Sequence, residues 1–250
     1  MPPDVAGRDV FTVAGYQDLV RALLARGYAL RGFADADPAA AHLVLRHDID
    51  QSIQAAREMA EAEAASGWSA IYFVLVRTEM YNPFAPAAAR DLTQIRALGH
   101  RVGLHLDAGL YDCEPAALDA ASATECAVLE TILDAPVEDI SFHRPAQALL
   151  GHEPRLAGRR HAYQPRYYSD MAYCSDSGGS WRHGHPLDHT AVTEGRALQL
   201  LTHPIWWTGP AAAPADRLQA LLDARGAVLD QELDTHCASH RRRYPEETSA

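Results

Sequence analysis

Short apolar runs alternate with helical patterns along most of the chain, and this alternation restricts the fold more than any other feature of the sequence. The apolar runs cover residues 42–45, 70–76, 101–104, 139–142, 171–174 and 198–201. The helical patterns cover residues 15–27, 52–66, 86–98, 115–133 and 215–234. The runs lack polar alternation, which is typical of strands buried on both faces. The order of elements therefore predicts a parallel α/β sheet, either open or closed into a barrel.

The length of the chain fits one domain. A chain of 250 residues is long enough for a single α/β core, and it contains no repeat and no linker-like segment. We therefore predict one domain over residues 1–250, with a motif-bearing core over about 42–207. Residues 144–170 read as a long loop rich in Pro, Arg and Tyr, and the last dozen residues are expected to be frayed.

Charge and composition exclude several classes of function. The formal net charge of −11 disfavours a general nucleic-acid interface. All 22 basic residues are arginine, so a lysine Schiff base is excluded. No apolar stretch approaches the roughly 20 residues that cross a bilayer, and Met1-Pro2-Pro3-Asp4 lacks the pattern of a secretory signal. The four cysteines are far apart, which favours reduced thiols. We therefore expect a cytoplasmic protein that binds neither nucleic acid nor membrane; its oligomeric state stays open.

Side chains that bind metals or carry protons follow four of the apolar runs. They are Asp48 and Asp50 in RHDID, His105 in RVGLHLD, His143 in ISFHRP and His203 in LQLLTHP. The carboxyl ends of parallel strands open on one face of the sheet, where active sites are built. We therefore expect these residues to converge on one site, although they are distant in sequence.

Asp48 and Asp50 indicate a divalent cation. Two residues apart on an extended backbone, their carboxylates point to the same side and repel each other unless a cation lies near them. A cation bound by one leaves the other free as a base. Together with the imidazoles of His105 and His143, one carboxylate completes the ligand set of a catalytic zinc site, where the pKa of bound water is about 7. The alternatives are a solvated turn or helix cap for the aspartates and structural roles for the histidines.

His203 is a candidate general acid for a departing nitrogen. Asp176, in CSDSGGSWR, is a candidate to orient that imidazole, and Arg144 is a candidate to pair with Asp48 and hold it ionised. A capping histidine before Pro204 and ordinary turn chemistry around Asp176 are the alternatives.

The motifs, taken in order, resemble those of the polysaccharide deacetylase (NodB-homology) superfamily, and most of all its divergent branch. The stretches are RHDID, IYFVLVRTEMYN, GHRVGLHLD, SFHRP, SDSGGSWR and LTHPIWW. They extend from about residue 42 to 207. The resemblance implies a distorted or incomplete (β/α) barrel of about seven parallel strands. It also implies an enzyme that removes N- or O-acetyl groups with one divalent metal ion.

The resemblance assigns roles to particular residues. Asp48 corresponds to the catalytic base, Asp50 and His105 to metal ligands, Asp176 to the residue that tethers the acid, and His203 to that acid. Arg144 corresponds to the arginine that steers the base. The family's second histidine ligand would stand at Gly109, so His143 is predicted in its place, with Asp107 and His47 as outside candidates. The residues assigned to substrate binding are Tyr81, Trp206, Trp207 and Arg166.

These assignments predict a hydrolase that removes an acetyl or similar acyl group from an amide nitrogen. The expected substrate is an intracellular sugar, nucleotide sugar or natural-product intermediate. Zinc is the predicted metal, with cobalt, nickel or iron as alternatives. Three other functions stay open: a hydrolase of another C–N bond, a non-haem iron oxygenase on the same ligands, and a non-catalytic carbohydrate-binding relative, which the glycine at position 109 motivates.

Overall fold

Seven parallel strands lie side by side in one sheet, with a short eighth strand at its flank. The structure is a computed structural model that describes residues 10–111 and 114–243. The strands are β1 (Ala29–Leu30), β2 (His42–Ile49), β3 (Ile71–Leu75), β4 (Arg101–Asp107), β5 (Asp139–His143), β6 (Arg160–His161), β7 (Ala172–Ser175) and β8 (Leu198–Thr202). Their order is β6-β5-β4-β3-β2-β8-β7, and β1 pairs with β2 outside this path.

The strand order is that of an incomplete (β/α) barrel. In a closed barrel each strand pairs with the next along the chain, and the last pairs with the first. Here β2 to β6 follow one another, and β8 pairs with both β7 and β2. Within the described part of the chain no pairing joins β6 to β7, so the barrel is open at this seam. The predicted fold class is therefore confirmed.

Helices link these strands and follow the last of them. They are α1 (Val13–Ala25), α2 (Ile53–Ala65), α3 (Pro86–Ala97), α4 (Pro115–Leu133), α5 (Pro165–Tyr168), α6 (Thr190–Glu194), α7 (Pro214–His236) and α8 (Ala238–Arg243). The chain divides after Ala211 into two units. The first unit contains the whole sheet, and the second contains α7 and α8. None of the helices, over the residues described, is long and apolar enough to cross a membrane.

The five predicted helices begin and end within two residues of the observed bounds, whereas two strands extend three or four residues past their predicted ends. Strand β2 continues to Ile49 and β4 continues to Asp107, because their polar residues stay in the parallel ladder. The predicted loop over 144–170 contains β6 and α5, which are too short to produce a periodic pattern. Part of the C-terminal segment expected to be frayed is helical in α8, and 244–250 lie outside the described residues. A single domain over 1–250 stays a prediction.

The alternation of side chains along β2 separates two polar groups. Arg46 lies inside the barrel, where its guanidinium packs over the rings of Phe73 and Tyr163 at 5.5 and 5.2 Å. His47 points the other way, towards α2, and its Nε2 lies 2.9 Å from Oε1 of Glu63. Successive residues of a strand face opposite sides, so one strand serves both the interior and the helix layer.

Glu63 of α2 is the centre of a buried polar network between the sheet and the helices. Its carboxylate accepts hydrogen bonds from the hydroxyls of Tyr16 and Tyr72, at 2.5 and 2.6 Å, in addition to the contact with His47. The Glu63 side chain is fully buried. Burial raises the pKa of Glu63, but the charge and hydrogen bond of His47 and the tyrosine hydroxyls outweigh it, so the pKa lies below its usual value. The network thus holds an ionised carboxylate in the core.

We expect Glu63→Ala to lower the free energy of unfolding by about 3–5 kcal/mol, because it leaves two hydroxyls and an imidazole buried without their acceptor. Urea unfolding followed by circular dichroism measures the change. Glu58→Ala, on the partly exposed side of the same helix, is the matched control and should cost less than about 1 kcal/mol.

The pH dependence of this difference follows from the lowered pKa of Glu63. A carboxyl group with a lowered pKa in the folded state stabilises the protein fully above its unfolded pKa, which is near 4.5. The stabilisation is lost as the pH falls through the folded pKa. The difference between wild type and Glu63→Ala should therefore be full at pH 6 and shrink below pH 4.5. A difference that stays constant down to pH 3 would contradict an ionised Glu63.

Candidate metal centre and acid–base site

Asp50, His105 and His143 form a cluster at the carboxyl ends of three strands. Each offers one ligand atom, and these atoms all lie within 4.8 Å of one another. Oδ1 of Asp50 is 3.2 Å from Nε2 of His105 and 3.4 Å from Nδ1 of His143. The convergence predicted for these residues is therefore present, and Gly109, where the resemblance would place a second histidine, has no side chain to offer.

The chemistry of this cluster fits a divalent cation. Oδ1 of Asp50 is buried and, among the described residues, has no hydrogen-bond partner, which is unusual for a carboxylate oxygen. Nδ1 of His105 lies 2.5 Å from Oγ of Ser141. If this nitrogen donates to Ser141, Nε2 is the unprotonated nitrogen and can bind a metal, as in many metal sites with a second hydrogen-bonding shell. Two imidazoles and one carboxylate with room for water are the ligands that catalytic zinc prefers.

Asp48 is held by Arg46, two residues earlier on the same strand. Nε and Nη2 of Arg46 donate to the two carboxylate oxygens of Asp48 at 2.9 and 2.8 Å. Nη1 of Arg46 donates to Gln199 of β8 at 2.9 Å. Burial raises the pKa of Asp48, but the charge and hydrogen bonds of Arg46 lower it below its usual value. Asp48 is thus an ionised carboxylate in a fixed orientation, 3.6 Å from Nε2 of His105.

The prediction that Arg144 steers Asp48 is wrong. Nη2 of Arg144 donates to Oδ2 of Asp107 at 2.7 Å, and the Arg144 side chain is 73% exposed. Its backbone φ of 48° lies in the left-handed region, which is costly for a residue with a Cβ. Arg46 provides the bidentate pair instead, because the two-residue period of β2 puts it on the same face as Asp48.

His203, directly after β8, is held by Asp176. Nδ1 of His203 lies 2.6 Å from Oδ1 of Asp176, and the backbone N–H of His203 donates to both oxygens of that carboxylate. Nε1 of Trp207 donates to Oδ2 of Asp176 at 2.6 Å. Burial lowers the pKa of His203, but the charge of Asp176 outweighs it and raises the pKa to about 9. Nε2 of His203 lies 3.8 Å from Oδ2 of Asp50, so a protonated imidazole borders the cluster.

The two other candidates for the third metal ligand, His47 and Asp107, have different partners. His47 faces α2, where Nδ1 contacts the hydroxyl of Thr202 at 2.7 Å. Asp107 pairs with Arg144. Neither belongs to the ligand cluster found among the described residues.

The residues predicted to bind substrate mostly have structural contacts. The Tyr81 hydroxyl donates to the carbonyl of Ile49 at 2.6 Å and accepts from the N–H of Leu75, so it fixes the end of β2. Trp207 is fully buried against Phe11, with ring centroids 4.5 Å apart. These contacts correct the predictions for Tyr81 and Trp207.

Arg166 lies at the opposite end of the barrel. Its Nη2 donates to the carbonyl of Ala36 at 2.6 Å, in the segment that leads into the amino end of β2. The neighbouring Pro38 accepts a bond from the N–H of Ala197, just before β8 begins. The prediction for Arg166 is therefore corrected, and Trp206 is buried as well.

A cavity of about 660 Å³ opens beside the cluster. Asp50 and His143 line one part of it. Its other described lining residues include Arg77, Met80, Leu110 and Arg144, from the segments that follow β3, β4 and β5. Neither Trp206 nor Trp207 lines it. The volume is typical of sites for small ligands.

Sequence reasoning missed Arg46, Ser141 and Gln199. Arg46 could have been recognised from the sequence. It lies two residues before Asp48 on a buried strand, so its side chain must face the same side of the sheet as Asp48. Ser141 and Gln199 could not have been recognised, since a single polar residue in a strand does not reveal its partner. Ser141 donates a hydrogen bond to Asp48 at 3.4 Å, and Gln199 accepts one from Arg46.

Comparisons with known proteins give structural likeness only. No protein-family model and no curated protein matches the chain. The chain is similar to the chitin deacetylase of Colletotrichum lindemuthianum at 12% identity, covering 80% of this chain and 86% of that one, with a TM-score of 0.46. It is also similar to a family 4 carbohydrate esterase from Bacillus anthracis at 12% identity, covering 85% and 86%, with a TM-score of 0.43.

A pseudoenzyme of the same carbohydrate esterase family from Bacillus anthracis is similar at 11% identity, with a TM-score of 0.42. The likeness covers 75% of this chain and 61% of the pseudoenzyme, so the chain spans less than two thirds of that protein. These proteins belong to the group that the motifs resemble. At such low identity and TM-score, the likeness does not establish an activity for this chain.

We expect Asp50→Asn to lower the affinity for zinc by more than about 100-fold, because it removes the anionic ligand atom of the cluster. Metal content after dialysis against a weak chelator, measured by mass spectrometry, tests this. Asp107→Asn is the matched control, since Asp107 is a buried carboxylate at the end of β4 outside the cluster. Equal metal loss in both variants would contradict the assignment of Asp50 as a ligand.

Proposed function

We propose that the protein is a metal-dependent amide hydrolase that removes an acyl group from the nitrogen of a sugar, a nucleotide sugar or a natural-product intermediate. One observation carries this proposal. An ionised carboxylate and a protonated imidazole border the same three-ligand cluster, Asp48 at 3.6 Å from His105 and His203 at 3.8 Å from Asp50. Hydrolysis of an amide needs this combination, because a proton must leave water and another must reach the nitrogen.

Asp48 is the base in this proposal. Its two oxygens are already engaged by Arg46, so the carboxylate has one orientation and no freedom to turn towards the cluster as a further ligand. Its lowered pKa keeps it ionised at neutral pH. Asp48 accepts the proton of a water molecule that attacks the acyl carbon.

His203 is the acid. Asp176 fixes the imidazole through Nδ1, which leaves Nε2 directed towards Asp50 and the cluster. The charge of Asp176 raises the pKa of His203 above its usual value, which favours the protonated imidazole. Nε2 donates its proton to the departing nitrogen, which prevents the release of a strongly basic amide anion.

Asp50, His105 and His143 would hold the divalent cation, and zinc suits this donor set best. When bound, such a cation supplies Lewis acidity, which polarises a carbonyl and lowers the pKa of water. The pair of Asp48 and His203 favours a hydrolase over an oxygenase, since oxygen chemistry on the same ligands would not use these two residues for proton transfer. A cytoplasmic substrate is part of the proposal, and the free thiols of Cys126, Cys174 and Cys237 support it.

A screen of N-acylated sugars, nucleotide sugars and small amines tests the proposed reaction. The zinc-loaded protein should release the free carboxylic acid and the amine in equal amounts, detected by mass spectrometry and by an amine-reactive dye. Asp48→Asn also weakens the pair with Arg46, so turnover is compared for the fraction that circular dichroism shows to be folded, where it should fall by about 10²–10⁴-fold while metal is retained. Oxygen consumption without acid release would replace hydrolysis by oxygenation, and intact substrates throughout the screen would favour a binding protein.

We expect the cost of His203→Ala to depend on the leaving group. Turnover of alkyl amides should fall by about 10²–10⁴-fold, because an alkylamine must be protonated to depart. Turnover of the matching nitroanilide should fall by less than about 10-fold, since nitroaniline departs without help. His189→Ala, at the start of α6, is the control histidine. Equal losses on both substrates would remove His203 as the acid.

A further inference from the structure

Among the described residues, five exposed large apolar side chains lie on α7 and two lie beside the candidate site. In the unit that contains the sheet, the described members of this class are Val10, Met80, Phe84 and Leu110, between 49% and 59% exposed. Met80 and Phe84 lie between β3 and α3, and Leu110 follows β4. Isolated exposed apolar residues are ordinary, but a concentration of them at one site indicates a binding surface.

Two of these side chains, Met80 and Leu110, line the same cavity as Asp50 and His143. We call this pair the apolar wall. A molecule whose acyl carbon reaches the cluster also occupies the adjoining cavity, so the substrate is what contacts the apolar wall. At about 660 Å³ the cavity far exceeds an acetyl group, which needs roughly the space of two or three water molecules of about 30 Å³ each.

The charged residues of the cavity do not indicate a strongly anionic ligand. Nη2 of Arg144 is paired with Asp107, and Nε of Arg77 lies 3.3 Å from Glu125. Each guanidinium therefore has a carboxylate partner already. Glu79 also lines the cavity and would repel an anion. Met80 and Leu110 offer this cavity exposed apolar surface instead.

We infer that the substrate of the proposed amide hydrolysis carries an apolar chain or ring that packs against the apolar wall, Met80 and Leu110. This inference rests on the proposed function and narrows its substrate class. The apolar part belongs either to an acyl group longer than acetyl or to the amine. An alkyl chain or ring buries more apolar surface against these two side chains than a hydroxylated sugar ring does.

Two series of amides separate these sources. The first series attaches acetyl, butanoyl and octanoyl groups to glucosamine, and the second attaches acetyl to methylamine, butylamine and octylamine. We expect kcat/KM of the zinc-loaded protein to rise by about 10-fold or more along one of the two series, through a lower KM. Leu110→Asn and Met80→Gln should each reduce that rise by about 3-fold or more. Val10→Asn alters an equally exposed apolar residue outside the cavity lining and should leave the rise unchanged.

Binding of the same compounds, measured by calorimetry, separates this inference from the proposed reaction. Binding that tightens with chain length and weakens in Leu110→Asn, without turnover, supports the apolar wall and overturns the hydrolase. Turnover with a flat dependence on chain length in both series overturns the apolar wall and retains the hydrolase. Equal effects of Leu110→Asn and Val10→Asn would also overturn the apolar wall. Absence of both binding and turnover overturns both.

Discussion

The bidentate pair between Arg46 and Asp48 sets the arrangement of the interior and of the site together. A guanidinium that is wholly buried needs a full set of acceptors, and it finds them in Asp48 and in Gln199 of the neighbouring strand. Removal of either carboxylate or guanidinium would leave an unpaired charge in the barrel, which is among the most destabilising changes a core can undergo. The pair also fixes the direction of Asp48, so the position of the proposed base is part of the core packing. The stability of the fold and the proposed function therefore depend on the same two residues, Arg46 and Asp48.

The positions of the candidate metal ligands and of the candidate acid–base pair follow from strand order. Parallel strands bring their carboxyl ends to one edge, and β2, β4, β5 and β8 each place a polar residue there. The pKa values of Asp48 and His203 shift in opposite directions because different groups lie beside them. Asp48 lies beside a guanidinium that favours its charged form, and His203 lies beside Asp176, which favours the protonated imidazole. Two groups of opposite proton affinity thus lie on either side of one cluster.

Much of this arrangement could be predicted from the sequence. The apolar runs located the strands, and the residues at their ends located Asp50, His105, His143 and the Asp176–His203 pair. The partner of Asp48 could not be settled in the same way, because the chain contains many arginines and only the two-residue period of β2 shows that Arg46 shares a face with Asp48. Arg166, Tyr81 and Trp207 were misjudged for a related reason. Composition identifies residues of a type that can contact a ligand, but burial and backbone hydrogen bonds decide which of them stay accessible. The short strands β1 and β6 carry too few residues to produce a pattern.

His47 connects the strand that carries Asp48 to the strand that precedes His203, on the face of the sheet that packs against α2. Its ring contacts Thr202, the residue before His203, and Glu63, while its own backbone continues into Asp48. The strands that bear the base and the acid are therefore joined through one imidazole as well as through their ladder. A displacement of either strand moves the other, so the spacing between Asp48, the proposed proton acceptor, and His203, the proposed proton donor, stays constant. Evolution could refit the rim of this site to new molecules many times without having to rebuild that spacing.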